Sequence, residues 1–104
     1  MSIQLQKTFR ALADPTRREI LHQLSTRNMT IGELTNEFPI TRAAVKKHLT
    51  MLEEGNLISV HANGRERINK LEPKGLEEVN DWMRYFDHFW DRRLSALQDA
   101  INNQ

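Results

Sequence analysis

The chain contains no cysteine among its 104 residues, which excludes disulfides, thiolate metal sites and dithiol redox motifs. No stretch approaches the roughly 20 apolar residues that a membrane-spanning helix needs, and the N-terminus lacks the apolar run of a signal peptide. The chain has only three prolines and four glycines, and no flexible linker or low-complexity tract interrupts it. We therefore predict a single domain over residues 1–104, in a reducing, cytoplasmic environment.

The net charge is only +1, but the charges are unevenly distributed. Residues 1–75 hold 12 Lys or Arg against 8 Asp or Glu, whereas residues 76–104 hold 3 against 6. The first part therefore carries +4 and the second −3. This asymmetry predicts one surface that meets a polyanion and a separate C-terminal surface with another role.

Residues 30–54 carry the pattern of a helix-turn-helix, after one helix predicted over 3–12 and a second that begins at Asp14-Pro15. Thr30 and Glu33 have the spacing of a capping box, which satisfies two free N–H groups where a helix begins. Pro39 ends this short helix, and Thr41 is a good N-cap for the next one. Because only three residues separate the two helices, the turn should fix them at a steep angle.

A hairpin and a long helix are predicted for the rest of the chain. Two short strands flank Asn63-Gly64, a strong hairpin signal, and give a wing over 57–71. A continuous helix follows over 75–102. The order α-α-α-α-β-β-α predicts a mainly α protein with a small β-hairpin, a winged helix-turn-helix.

The second helix of such a motif lies in the DNA major groove, where its N-terminal residues meet base edges. Arg42 or Lys46 could donate to guanine, and Ala43 could touch a thymine methyl group. Glu53 and Glu54 are expected at the far end of this helix, away from the DNA. The candidate DNA-binding residues are Thr41, Arg42, Ala43, Lys46, Lys47, His48, Arg65 and Arg67.

Each part of this surface also has an ordinary structural interpretation. The basic helix taken alone could be a solvated face, and His48 could make a half-buried polar contact instead of bonding a phosphate. Arg65 and Arg67 would share one face of a strand, which could reach phosphate or simply be the polar face of a ribbon. The capped helix, short turn and basic hairpin together favour DNA binding.

Three segments resemble the ArsR-type winged-helix repressor family. They are FRALADPTRREIL at 9–21, MTIGELTNEFPITRAAVKKHLTMLEEGNLI at 29–58 and NGRERINKL at 63–71. The resemblance implies a homodimer that binds a palindromic operator and represses transcription. It also places residues 41–48 in the recognition helix and Arg65 and Arg67 in the wing.

Many members of that family release DNA when they bind a metal through cysteines or through paired Asp and His residues. Here the only candidate cluster is Asp87, His88 and Asp91, which lacks paired histidines and is explained as well by surface charge. The chain therefore resembles a cysteine-free branch of the family, and we predict neither a metal site nor a cofactor.

The C-terminal helix is rich in aromatic residues, with five of the seven lying between Trp82 and Trp90. Its apolar arc is wider than one small core needs, so it could form a two-fold dimer face with the first helix. It could instead fill the core of a monomer, or line a pocket for an apolar effector. The candidate dimer residues are Ile3, Leu5, Phe9, Val79, Met83, Phe86, Trp90, Leu94 and Leu97.

The sequence therefore predicts a sequence-specific, DNA-binding transcriptional regulator, a dimeric repressor acting on a palindromic operator. Its expected partners are double-stranded DNA and a second copy of itself, with no membrane and with an unidentified small-molecule effector left open. The alternative is a winged-helix module that binds protein without binding DNA. No Gly-rich phosphate loop, cofactor motif or nucleophile with its base is visible, so we do not expect an enzyme.

Overall fold

Two capped helices begin the chain in the computed structural model, which describes residues 2–103. Helix α1 spans Ile3–Leu12 and helix α2 spans Pro15–Thr26. The Asp14 carboxylate accepts a hydrogen bond from the backbone N–H of Arg17 at 3.0 Å, and proline occupies the first turn. The predicted start of the second helix is therefore confirmed, for the capping reason that the sequence indicated.

The helix-turn-helix consists of α3 at Ile31–Asn36 and α4 at Arg42–Glu54. The Thr30 hydroxyl accepts from the N–H of Glu33, and the Glu33 carboxylate accepts from the N–H of Thr30. Both halves of the predicted capping box are thus present. Thr41 caps α4 through a hydrogen bond from the N–H of Ala44.

The wing is part of a three-stranded antiparallel sheet with the order β1-β3-β2. The strands are β1 at Met29–Thr30, β2 at Ile58–Asn63 and β3 at Glu66–Leu71. The short β1 strand was not predicted, since two residues are too few to show an alternating pattern. It forms because β3 offers a free edge beside the start of α3.

The hairpin turn lies one residue later than predicted. Asn63 pairs with Glu66, so Gly64 and Arg65 form a two-residue turn and Arg65 lies outside the strand. Gly64 has φ +65°, and Arg65 does not share this left-handed conformation. This pattern fits a type II′ turn, which takes glycine at its first central position. The prediction that Arg65 and Arg67 share a strand face is therefore wrong.

The predicted continuous C-terminal helix is two helices. Helix α5 spans Pro73–Met83, a 3₁₀ turn spans Arg84–Phe86, and α6 spans Asp87–Asn102. Neither Gly nor Pro marks the break in sequence. The turn lies where the helix leaves the support of α1, beside an edge-to-face contact of Trp82 with Phe86 at 5.2 Å. The break is thus a tertiary feature that helical periodicity did not reveal.

The hydrophobic core lies between α1–α4 and the sheet. Its buried apolar residues are Ala11, Ile20, Leu21, Leu24, Met29, Leu34, Val45, Leu49, Leu52, Leu57 and Ile58. Two buried polar side chains fasten the core to its neighbours: the Thr8 hydroxyl donates to the Gly55 carbonyl at 2.8 Å, and the Asn69 amide donates to the Met29 carbonyl at 3.1 Å. Buried polar groups with partners of this kind avoid a desolvation penalty.

The first turn of α5 docks against the turn that follows α4. The N–H of Gly75 donates to the Asn56 carbonyl at 2.9 Å, and Asn56 itself has φ 57°. A Cβ atom at residue 75 would lie only 2.6 Å from that carbonyl oxygen and 2.7 Å from that of Gly55. This close backbone approach therefore requires glycine, and it anchors the C-terminal helices to the recognition helix.

Helix α6 projects from the folded body and packs mainly against the 3₁₀ turn. The radius of gyration is 18.3 Å and the extents are 64 × 30 × 21 Å, whereas a compact chain of this length has a radius of gyration of about 13 Å. A single copy therefore does not bury the apolar face of α6. No helix within residues 2–103 is long and apolar enough to cross a membrane.

Candidate nucleic-acid interface

Helix α4 has one buried face and one exposed face. Val45, Leu49 and Leu52 are buried and lie within about 60° of one another around the helix axis. The exposed face is centred between Lys46 and Ala43, with the other exposed positions on either side. Thr41, Arg42, Ala43, Lys46 and Lys47 are all exposed, as the sequence predicted for a surface that meets DNA.

The start of α4 can receive an anion. Its N-cap is the exposed Thr41, and the helix has 13 residues with no acidic residue in its first turn. Free N–H groups and the helix dipole favour negative charge at such an end. Arg42 adds a cation to this turn, so the N-terminal part of α4 is suited to the acidic DNA backbone.

His48 lies on a different side of α4 from the other candidates. Its side chain is only 21% exposed, and its Nδ1 lies 3.3 Å from Nη1 of Arg17 and 3.9 Å from the Asp14 carboxylate. A guanidinium can only donate, so a hydrogen bond between the two side chains runs from Arg17 to Nδ1. The ring therefore contacts the α1–α2 corner.

Arg17 connects this corner to the end of α1. Its Nε donates to the Ala11 carbonyl at 2.7 Å, and its Nη2 donates to the Arg10 carbonyl at 3.0 Å. These carbonyls belong to the last turn of α1, and that of Arg10 also accepts from the N–H of Ala13 at 3.2 Å. One guanidinium thus joins α1, α2 and the recognition helix, and nothing in the sequence distinguishes Arg17 from an ordinary basic residue.

The same corner perturbs a carboxylate. The N–H of Arg17 is the largest cause that holds the pKa of Asp14 below its ordinary value, and the nearby charge of Arg17 acts in the same direction. In the capping box, the N–H of Thr30 lowers the pKa of Glu33, helped by Arg27 at 2.7 Å. Asp14 thus stabilises the start of α2, and Glu33 stabilises the start of α3, the first helix of the motif.

The two wing arginines have different positions. Arg67 lies in β3 opposite Ala62, on the same face as the buried Asn69. That face is turned toward α4. Arg65 lies in the exposed turn at the tip of the hairpin.

A cleft separates α4 from the wing, and we call it the α4–wing cleft. Its volume is about 250 Å³. Its lining residues are Ile31, Arg42, Lys46, Leu49, Thr50, Glu53, Val60, Arg67 and Asn69. Sequence analysis did not select Thr50 or Asn69, although Thr50 lies one turn after Lys46 on the exposed face.

Glu53 lies at the far end of α4 from Arg42, as the sequence predicted, and it also lines the α4–wing cleft. Residue 53 follows residue 42 by eleven positions, or about three full turns, so both lie on the same side of α4. Glu53 therefore lines the same cleft as Arg42, Lys46 and Arg67, at its opposite end. Glu53 and Arg42 are therefore separated along the axis of α4 but lie on the same side of the helix.

The acidic cluster of α6 forms no metal-binding group. Within residues 2–103, the structure brings no three His, Asp or Glu side chains into an arrangement that could hold an ion.

The fold and the exposed basic helix define the winged helix-turn-helix class of DNA-binding proteins. A family model described as a helix-turn-helix domain matches residues 12–61. The HTH-type transcriptional regulator Rv2034 of Mycobacterium tuberculosis is 33% identical over 98 residues, covering 94% of this chain and 89% of that protein. The transcriptional repressor SdpR of Bacillus subtilis is 32% identical over 90 residues, covering 86% of this chain and all of that protein.

Solved structures agree with these sequence relationships. An ArsR family transcriptional regulator, RHA00566, superimposes with a TM-score of 0.77 at 35% identity, over 85% of this chain and 91% of that chain. An ArsR-like transcriptional regulator from Rhodococcus sp. RHA1 superimposes with a TM-score of 0.74 at 31% identity, over 93% of this chain and 92% of that chain. The chain belongs to the ArsR family of helix-turn-helix transcriptional regulators. It is therefore a DNA-binding regulator and not an enzyme, as the sequence predicted.

Proposed function

We propose that the protein is a homodimeric repressor that binds a palindromic operator through α4 and the wing. The relatives include the repressor SdpR and an arsenical resistance operon repressor of Bacillus subtilis that is 37% identical over 76 residues. We assign DNA contact to the exposed residues Thr41, Arg42, Ala43, Lys46, Lys47, Arg65 and Arg67. We assign His48 to the orientation of α4, since its ring contacts Arg17.

The observation that carries the homodimer is the unburied apolar face of the C-terminal helices. A continuous stripe at helical spacing, the C-terminal stripe, consists of Met83, Phe86, Trp90, Leu94, Leu97 and Ile101. Each of these side chains is at least 46% exposed in a single copy. Apolar surface of this extent on a projecting helix favours association with another chain. A second copy is the partner that the family relationship supports.

The first helix would complete the dimer face. Phe9 meets Trp82 edge to face at 5.3 Å, so α1 and α5 already form one continuous surface. Leu5 and Val79 are half-buried beside this contact, and Ile3 is 77% exposed at its edge. A two-fold axis through this surface would place two copies of α4 one DNA turn apart, about 34 Å. A palindromic operator follows from that symmetry.

The other interpretations of the aromatic cluster have less support. A monomer core would require the C-terminal stripe to be buried, and it is exposed. An open hollow of about 660 Å³ lies beside Trp82 and Phe89, which is large enough for an apolar effector. Because this hollow adjoins the proposed dimer face, we assign its aromatic residues to the dimer and propose no effector.

The proposal is tested by selecting bound fragments from the source genome and titrating the best one as a labelled duplex. We expect two chains per palindromic site, tight binding over a scrambled duplex, and affinity that falls steeply with salt because bound phosphates release counterions. If binding is insensitive to salt, or if the protein binds no duplex at all, the result would favour the protein-interaction module. One chain per site would rule out the homodimer. Binding to chromosomal DNA would also require the protein to act in the cytoplasm.

A further inference from the structure

The basic residues of α4 do not all face the same way. At 100° per residue, Arg42 and Glu53 lie within about 20° of each other, Lys46 about 40° from Arg42, and Lys47 about 140° from it. This agrees with the cleft lining, which includes Arg42 and Lys46 and does not include Ala43 or Lys47. One exposed edge of α4 therefore faces the wing, and another faces away from it.

The wing contributes a cation to the same space. Arg67 and Asn69 lie on one face of β3, and Val60 is paired with Asn69 across the hairpin. All three line the α4–wing cleft. Because Asn69 is buried and fastened to the Met29 carbonyl, this face of β3 is fixed against the body of the protein. Arg67 thus reaches the cleft from a rigid strand.

The two arginines line the cleft from different elements. The Arg42 Nη1 lies 4.0 Å from the position that a Cβ atom would take at Gly32, in the first turn of α3. Thr30, the N-cap of α3, pairs with Ile68, so Arg67 lies one residue beyond this pair, beside the start of α3. Ile31 lines the cleft with both arginines. Arg42 and Arg67 therefore both lie near the start of α3, while Glu53 lies about three turns away along α4.

The chemistry of this end suits a phosphate. Arg42, Lys46 and Arg67 supply three cations above an apolar floor that includes Leu49. Guanidinium groups bind phosphate oxygens in a fork of parallel hydrogen bonds, and the partly enclosed setting strengthens such contacts. The volume of about 250 Å³ falls below the range of pockets for drug-sized ligands, about 300–1,000 Å³. It accepts a single charged group.

We propose that the α4–wing cleft binds one backbone phosphate of the DNA, clamped between Arg42 of the recognition helix and Arg67 of the wing. Lys46 adds a third positive charge to this clamp. The clamp holds the recognition helix in register, while the discrimination of bases falls to Ala43 and Lys47 on the edge away from the cleft. This assignment rests on the proposed function, and it separates phosphate-holding from base-reading residues within α4.

The test is a double-mutant cycle on duplex binding. Arg42→Ala, Arg67→Ala and the double variant are titrated against the selected operator and a scrambled duplex, at several salt concentrations. Thermal unfolding by circular dichroism checks that each variant is folded, which we expect because both side chains are exposed. Lys47→Ala is the matched control, since it removes one charge from the same helix outside the cleft.

For the clamp we expect each single variant to weaken binding to both duplexes by the same factor. We also expect the logarithmic salt slope to become shallower by about 1. Because both arginines hold one phosphate, the loss in the double variant should differ from the product of the single losses by at least about twofold. Arg42→Lys should restore only part of the affinity, since it keeps the charge and loses the forked geometry.

For the control we expect a different pattern. Lys47→Ala should reduce the preference for the operator over the scrambled duplex by about 5- to 150-fold. When Lys47→Ala is combined with Arg67→Ala, the loss of affinity should equal the product of the two single losses, since the two side chains hold different groups.

Two outcomes would overturn the clamp while leaving the proposed function intact. The first is a wild-type protein that binds DNA in a salt-dependent way but shows independent effects of Arg42→Ala and Arg67→Ala. The second is an Arg42→Ala variant that loses operator preference while retaining its affinity for the scrambled duplex. If the wild type binds no duplex at all, the proposed function fails and the clamp fails with it.

Discussion

Arg17 shows how one side chain can orient the recognition helix without facing DNA. Its guanidinium donates to two carbonyls at the end of α1 and to the His48 ring on α4. The elements that it joins are those on which we base the dimer and the DNA contact. The position of α4 therefore depends on a contact from the first two helices as well as on the turn within the motif.

Replacing Arg17 by alanine should lower the free energy of unfolding by about 1–3 kcal/mol, because hydrogen bonds from a charged donor are lost and two carbonyls are left without it. Urea denaturation at fixed protein concentration measures this change. Arg18→Ala is the matched control: Arg18 is exposed and donates to one α1 carbonyl, that of Leu12 at 2.8 Å. Arg18→Ala should lower the free energy of unfolding by less, about 1 kcal/mol or below. If both variants lowered the free energy of unfolding equally, Arg17 would contribute no more to stability than an exposed arginine.

The carboxylates at the helix starts predict how stability changes with pH. The folded state lowers the pKa of Asp14 and Glu33, so it binds fewer protons than the unfolded chain near the ordinary carboxyl pKa. Their contribution is therefore complete above that range and is lost as pH falls through the lowered values. The free energy of unfolding should fall between about pH 5 and pH 3.

The pH effect is checked with the double variant Asp14→Asn and Glu33→Gln. Both replacements keep an oxygen that can cap a helix and remove the titrating group. Stability near pH 7 should change little, while the loss on acidification should become smaller. Glu66→Gln, an exposed wing carboxylate, is the control and should leave the acid dependence as it is in the wild type. An unchanged acid dependence in the double variant would contradict the assignment.

At the scale of elements, the anchoring of α5 depends on a position with no room for a side chain. The first turn of α5 approaches the backbone of Asn56 and Gly55 at Gly75. Gly75→Ala would place a Cβ atom 2.6 Å from a carbonyl oxygen, which forces α5 to move. We expect a cost of about 1–3 kcal/mol, as for other overpacked sites, and a weaker dimer because α5 forms part of its face.

Gly32→Ala is the control, and we expect it to stabilise the protein whereas Gly75→Ala destabilises it. Its added Cβ would have only ordinary contacts, the nearest being the Thr30 hydroxyl at 3.8 Å. Alanine should stabilise this helical position by up to about 1 kcal/mol, since glycine loses more backbone entropy on folding. Thermal unfolding of both variants decides the matter: a Gly75→Ala protein as stable as the wild type would show that α5 can shift freely.

At the scale of the whole molecule, the exposed C-terminal stripe predicts association. Trp90 is 60% exposed and Leu94 62% exposed on a helix that leaves the folded body. Trp90→Ala should weaken dimerisation by about 2 kcal/mol or more, roughly 30-fold, if Trp90 is an anchor of the interface. Sedimentation equilibrium measures this change directly.

The control for the dimer face is Arg92→Ala, on the side of α6 away from the stripe and also exposed. It should leave the association constant within about threefold of the wild type, as for surface changes of about 0.5 kcal/mol. A Trp90→Ala protein that dimerises as tightly as the wild type would move the interface elsewhere. A monomeric wild type would contradict the homodimer itself.

Local sequence signals determined most of the architecture. Asp14, Thr30 and Thr41 cap the helices they were expected to cap, because N-cap hydrogen bonds form within a few residues of the chain. Helical periodicity separated Val45 and its buried neighbours from the basic positions of α4. The family followed from these motifs as well. Short-range chemistry was sufficient for these features since each one involves neighbours in sequence.

Only the tertiary structure decided the features that join distant residues. The break at Arg84–Phe86 has no helix breaker in sequence, and it lies where α1 ceases to support the helix. Likewise, the sequence left open whether His48 bonds a phosphate or makes a half-buried polar contact, and in the structure its ring lies against Arg17, 31 positions earlier. The cleft that Arg42 and Arg67 both line depends on how the sheet packs beside α4. Contacts of this kind depend on packing between elements, which local propensity does not encode.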